Sequence, residues 1–123
     1  MSRESDIHSE ITHLREKIRG YEKRIDDLLK KSKLIKGWQK KIKEEAYEAE
    51  KRYDMTYGGN FIGNLESKAE EFRDDLCKGI QKGQNGTSQL LLDIQRIIDT
   101  LRICIDECRR RISKLEDELE NLS

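Results

Sequence analysis

Apolar residues recur in this chain at alternating steps of four and three, on both sides of a single double-glycine break. In the first stretch they fall at Ile7, Ile11, Leu14, Ile18, Tyr21, Ile25 and Leu28. The same register continues through Ser32, Ile35, Gln39, Ile42, Ala46, Ala49 and Tyr53, interrupted only by Ser32 and Gln39. Steps of four and three keep side chains on one face of an α-helix, so residues 3–56 read as one long amphipathic helix with a heptad seam. Leu34 and Trp38 lie one residue off that seam and widen its apolar flank. Ion pairs at Asp26/Lys30, Asp27/Lys31 and Glu48/Arg52 have the i,i+4 spacing that gives weak further support. Gly20 and Gly37 interrupt the helix-forming residues without a proline to stop the turn, so the helix is read as continuous.

The break is Thr56-Tyr57-Gly58-Gly59-Asn60. Paired glycines enter φ > 0 without a steric penalty, and Asn60 suits either that region or the N-cap of a following helix. Residues 1–56 and 61–123 flank a turn at 57–60 almost symmetrically, which predicts an all-α, antiparallel two-helix hairpin occupying 1–123 as a single domain. The second helix, 61–122, opens with Phe61, Leu65, Ala69, Phe72, Leu76 and Ile80. Its pattern weakens over Gly79, Gly83 and Asn85-Gly86-Thr87-Ser88, where a kink or break near residues 83–88 stays open, with Thr87 or Ser88 as a cap. Beyond that the seam is uninterrupted: Leu91, Ile94, Ile98, Leu101, Ile105, Cys108, Ile112, Leu115, Leu119 and Leu122.

A second apolar row overlaps the first, through Leu90, Ile94, Ile97, Leu101, Cys104 and Cys108. A helix with two overlapping rows has an apolar arc too wide for one neighbour. Burying a Leu or Ile contributes about 1.5–3 kcal/mol against about 1.5 kcal/mol of ordering entropy per residue, so a lone hairpin is marginal. The surplus around Leu90, Ile97 and Ile103 is therefore expected to take a helical partner, a second small helical protein or another copy of the chain.

Composition narrows the function. Charged residues make up 41% of the chain and hydrophobic ones 34%, too little for a thick globular core, and 25 bases balance 25 acids. A formal net charge of zero gives no global attraction to nucleic acid or anionic membrane. No apolar run reaches the roughly 18–20 residues of a membrane span and no signal-type apolar segment follows Met1, so a cytoplasmic chain without membrane insertion is expected. Lys30, Lys33, Lys36, Lys40 and Lys43 share about 140° of one helix face, and no acid interrupts residues 30–43. Without interleaved aromatics to stack on bases, this run reads as a solvated face, and binding to nucleic acid at physiological salt is not expected. Cys77, Cys104 and Cys108 are an odd set that suits reduced, buried thiols.

A turn at Gly58-Gly59 would set residue i opposite roughly 117 − i. That register brings Glu4, Asp6 and Glu10 to the Arg109-Arg110-Arg111 run and His8 and His13 toward Cys104 and Cys108. His8 and His13 lie about 140° apart around the helix, which disfavours a joint zinc site, so no metal and no cofactor are assigned. No phosphate loop, Ser/His/Asp set or His-Glu-x-x-His run is present, and a non-enzymatic protein is expected.

Two amphipathic helices joined at Tyr57-Gly58-Gly59, followed by Phe61, Leu65, Phe72 and Leu76, resemble the WXG superfamily of type VII secretion hairpins. Tyr57 stands where that superfamily has tryptophan; Trp38 lies too far inside the first helix to replace it. The long arms are similar to the small α-helical proteins that accompany LXG toxins. The resemblance implies an adaptor or chaperone that binds the helical domain of such a toxin and targets it for export, itself cytoplasmic or co-exported. It implies Phe61, Phe72 and Leu76 as partner-binding residues, beside Leu90, Ile97 and Cys104 of the second apolar row. Tyr57 is the last tyrosine, so the Tyr-x-x-x-Asp/Glu export tag is absent and the signal would be composite or carried by the partner. The alternative is a self-associating structural coiled coil with no secretion role. Either way the turn needs glycine: Gly59→Val should lower stability by about 1–3 kcal/mol through strain at φ > 0. Thermal unfolding followed by circular dichroism tests this, and an unchanged melting temperature places the turn elsewhere.

Overall fold

The computed structural model describes residues 2–54 and 63–122, with the side chains of 47, 49–54 and 63–66 set aside. It is an all-α hairpin of two antiparallel helices, α1 (Arg3–Asp54) and α2 (Gly63–Leu122). The turn residues Tyr57, Gly58 and Gly59, the residue Phe61, and the side chains of Ala49, Tyr53 and Leu65 lie outside the described residues. Ser2 caps α1: the Ser5 amide donates to Ser2 Oγ at 3.1 Å. The Asp6 amide donates to the Ser2 carbonyl at 3.2 Å. Glu4 and Asp6 in the first turn complement the positive end of the helix dipole.

α2 runs unbroken through Gly83 and Gly86. Thr87 does not cap a new helix; its hydroxyl donates to the Gly83 carbonyl one turn back at 3.0 Å. Thr12 and Thr100 do the same toward His8 and Arg96. A threonine hydroxyl serves equally as a cap or as this back-bond, and flanking helix decides between them.

The chain divides into two compact units, residues 1–31 with 93–123 and residues 32–92. In the first unit Ile7, Ile11, Ile112 and Leu115 form a buried cluster, with Leu14, Ile18 and Leu119 packed against it. Ile94, Ile98, Leu101, Ile105 and Cys108 continue the buried row on α2. Ile7, Ile98 and Leu115 are almost completely sealed from solvent. No polar side chain is buried among the described residues. Exposed ion pairs rim the unit. Arg3 grips Glu118 with Nε at 2.7 Å and Nη2 at 3.0 Å. Arg111 reaches Glu10 at 3.0 Å and Arg109 reaches Glu22 at 3.4 Å.

These contacts correct the turn-centred register. Residue 3 meets 118 and residue 10 meets 111, each four positions beyond the expected partner. Of the anticipated acid–base pairs only Glu10 with the arginine run is made, and Arg109 takes Glu22 instead. Apolar burial sets the alignment, and solvent-exposed ion pairs are too weak to move it.

The second unit is packed differently. None of its described residues is fully buried. Ile35, Gln39 and Ala46 on α1 face Ile80, Gln84, Thr87 and Leu91 on α2, all half-buried, and Arg73 occupies the same row. Phe72 and Leu76 precede this row by one residue and are 70% and 52% exposed. Stepping back from Leu91 by threes and fours reaches 87, 84, 80 and 73, so the strong downstream seam imposes its phase and the earlier apolar set falls beside it. Ile98→Ala should cost about 2–5 kcal/mol through lost burial and the cavity left behind, measured by urea unfolding. A loss below about 0.5 kcal/mol, as for an exposed site, would mean that Ile98 is not part of the core.

Candidate partner-binding surface

The buried row of α2 leaves apolar side chains uncovered beside it. In the first unit Ile97 is 50% exposed while its neighbour Ile98 is 1% exposed. Cys104, seven residues on, is half-buried on the same flank, and Cys108 sits in the buried row. Ile103 is also exposed but stands six positions from Ile97, about 120° round the helix. It does not belong to that flank, contrary to its grouping with Leu90 and Ile97.

In the second unit the facing row is Ile35, Gln39 and Ile42 on α1 and Ile80, Gln84 and Thr87 on α2. Two sides of this two-helix layer have opposite character. On one side lies a groove of about 800 Å³ lined by Lys36, Lys40 and Lys43 from α1 and Gln81, Asn85 and Ser88 from α2. Each of these residues follows a facing position by one. The residues that precede a facing position by one therefore share the other side. There α1 places Leu34 and Trp38, and α2 places Phe72, Leu76, Gly79, Gly83, Gly86 and Leu90. Leu34, Trp38 and Leu90 are 57%, 61% and 48% exposed.

Across the interface of this unit, Gln39 and Gln84 exchange amides. Gln84 Nε2 donates to the Gln39 carbonyl at 2.8 Å. Gln39 Nε2 donates to the Gln84 carbonyl at 3.2 Å and to Ser88 Oγ at 2.8 Å. The polar interruption in the α1 row thus has a matching polar position on α2.

Among the described residues, two exposed pairs carry shifted groups. The Arg3 guanidinium is shifted up by its hydrogen bond to Glu118, whose carboxyl is held below its ordinary value by the same contact. Lys30 is shifted up by its hydrogen bond to Asp26, at 3.0 Å. His8 and His13 are both exposed. Cys77 is exposed as well, against its expected burial. Among the described residues no group of three or more His, Cys, Asp or Glu side chains is arranged to hold a metal. Nor is any helix among them long and apolar enough to cross a membrane.

Of the expected partner residues, Leu90 and Ile97 are each about half exposed and Cys104 is half-buried. Phe72 and Leu76 are exposed, while Phe61 lies outside the described residues. Leu34, Trp38 and Ile42 were not among the expected partner residues; the signal was the off-seam position of Leu34 and Trp38, whose side becomes meaningful only once α2 is placed. Comparison of the chain with protein-family models, curated proteins and solved structures gives no match.

The amide exchange has a measurable signature. Gln84→Leu removes the bond to the Gln39 carbonyl while the Gln39 amide keeps the Gln84 carbonyl and Ser88 as acceptors, so it should cost about 1 kcal/mol. Because the two residues are in direct contact, the loss in the Gln39→Leu, Gln84→Leu double variant should be smaller than the sum of the single losses. Urea unfolding of both single variants and the double variant reads the coupling. Additive losses would show that the two amides act independently.

Proposed function

We propose that this protein is a non-enzymatic adaptor that binds another helical protein, the helical domain of an LXG-type toxin, before type VII export. The observation that carries this reading is the pair Ile97 and Ile98: the apolar arc of α2 extends beyond what α1 covers. An uncovered apolar row on a helix is the feature that a helix-in-groove or bundle-type partner uses. The identity of the partner as a secreted toxin rests on the resemblance of the helix–Tyr-Gly-Gly–helix arrangement to the WXG superfamily. The hairpin fold is consistent with it. In this role the chain works in the cytoplasm, supplies no catalytic group and no cofactor, and hands the toxin to the export machinery or travels with it.

The test is co-expression with the helical domain of an LXG toxin encoded beside this gene, followed by co-purification. Ile97→Glu should abolish capture while leaving helicity and melting temperature close to wild type, because a carboxylate at this site is tolerated in water but not when buried unpaired, at a cost of several kcal/mol. Ile98→Glu should unfold the hairpin itself. Capture unaffected by Ile97→Glu would move the interface elsewhere, and the absence of any toxin gene nearby together with no capture would remove the secretion role.

A further inference from the structure

The second unit carries an apolar side whose shape matches itself. On α2, Phe72, Leu76, Gly79, Gly83, Gly86 and Leu90 fall within an arc of about 80°, so three glycines form a bare stretch between large apolar side chains. A Cβ added at Gly79, Gly83 or Gly86 would meet nothing within 4 Å, which leaves open space above all three. On the same side of the layer, α1 presents Leu34 and Trp38, with the half-exposed Ile42 beside them.

The amide contacts of Gln39 with Gln84 and Ser88 fix the levels of the two helices. Trp38 is level with Gly86, Ile42 with Gly83, and Leu34 with Leu90. A two-fold axis parallel to the helices lays α1 of one copy over α2 of the other at unchanged levels. The indole of Trp38 then covers Gly86 and Gly83 of the second copy, and Leu34 meets its Leu90. Large side chains meet bare backbone, as close packing requires.

We propose that this face of residues 32–92 is a homodimer interface, closed by the insertion of Trp38 over Gly83 and Gly86 of a second copy. Area and charge both support this occupant. Five exposed Leu, Phe and Trp side chains offer on the order of 600 Å² of apolar surface per copy, near the ~800 Å² per partner of a stable interface. Between residues 34 and 45, the α1 positions that precede the facing row carry only Lys41 and Glu45 as charges, one of each sign. The opposite side would bring Lys36, Lys40 and Lys43 of both copies together, and like charges oppose that approach. The proposal stands independently of the toxin-binding reading, which rests on Ile97.

Trp38 is the only tryptophan in the chain and reports the contact directly. The full chain is studied by sedimentation equilibrium from about 1 to 100 μM, the range of ordinary specific dimers, with tryptophan emission recorded across the same series. A monomer–dimer equilibrium is expected, with emission moving to shorter wavelength as dimer forms. Gly86→Leu fills the bare stretch from a Cβ that meets nothing within 4 Å, and replacing glycine inside a helix preserves helicity. It should weaken dimerisation by at least about tenfold and hold the emission at the exposed position throughout. Ile97→Glu should leave the dimer unchanged even where it abolishes toxin capture. A wild-type monomer at every concentration overturns the proposal, as does a dimer indifferent to Gly86→Leu. A Trp38 shift that appears only when a toxin domain is added overturns it too, assigning the face to that partner instead.

Discussion

The contact of Ile7 and Ile11 with Ile112 and Leu115 aligns the helices of the first unit, and through that alignment determines which side chains meet there. Once these four are buried, Glu10 stands within reach of Arg111 and Arg3 within reach of Glu118, while Ile98 and Ile105 turn toward α1. Exposed ion pairs follow this alignment because their own strength is small against the burial of several branched side chains. A 4–3 apolar repeat on both helices makes this packing continuous, and the absence of proline lets both helices run beyond fifty residues.

The second unit shows what happens when the same repeat is filled with polar residues. Gln39, Gln84 and Thr87 occupy positions that Ile and Leu hold elsewhere, and the unit has no fully buried side chain among its described residues. Each amide donates to the backbone carbonyl of the other residue, so the pairing is satisfied without being strongly stabilising. Shifting α2 by one heptad would bring Cys77 or Leu91 to the place of Gln84 and remove the Ser88 hydroxyl that accepts from Gln39. Polar residues in an apolar seam thereby discriminate against neighbouring alignments, as buried amides do in coiled coils.

Much of this was legible beforehand. The rows from Ile7 to Leu28 and from Leu91 to Leu119 were readable because every step is four or three and nearly every position is aliphatic. The phase of α2 before residue 84 was not, since Ile80 fits both the set with Phe72 and Leu76 and the row with Gln84, and a glutamine gives no apolar signal. The alignment of the helices was misjudged because symmetry about the two glycines ignores where the core packs best. Leu90 and Ile97 as uncovered residues followed from the doubled row. The side shared by Trp38 and the glycines did not, because sidedness arises only from pairing two helices.

The groove side of the second unit carries lysines, and no acid occurs in residues 30–43 of α1 or 76–92 of α2. In a chain of zero net charge, this makes one side a local source of positive potential reaching about a Debye length, ~8 Å, into physiological solution. Molecules approaching the unit are therefore sorted before contact: cationic surfaces are deflected from the lysine side, and acidic ones are drawn to it. The field acts on the rate and angle of collision more than on the final affinity. The lysine-lined groove thus biases which partners reach this unit and the side from which they arrive.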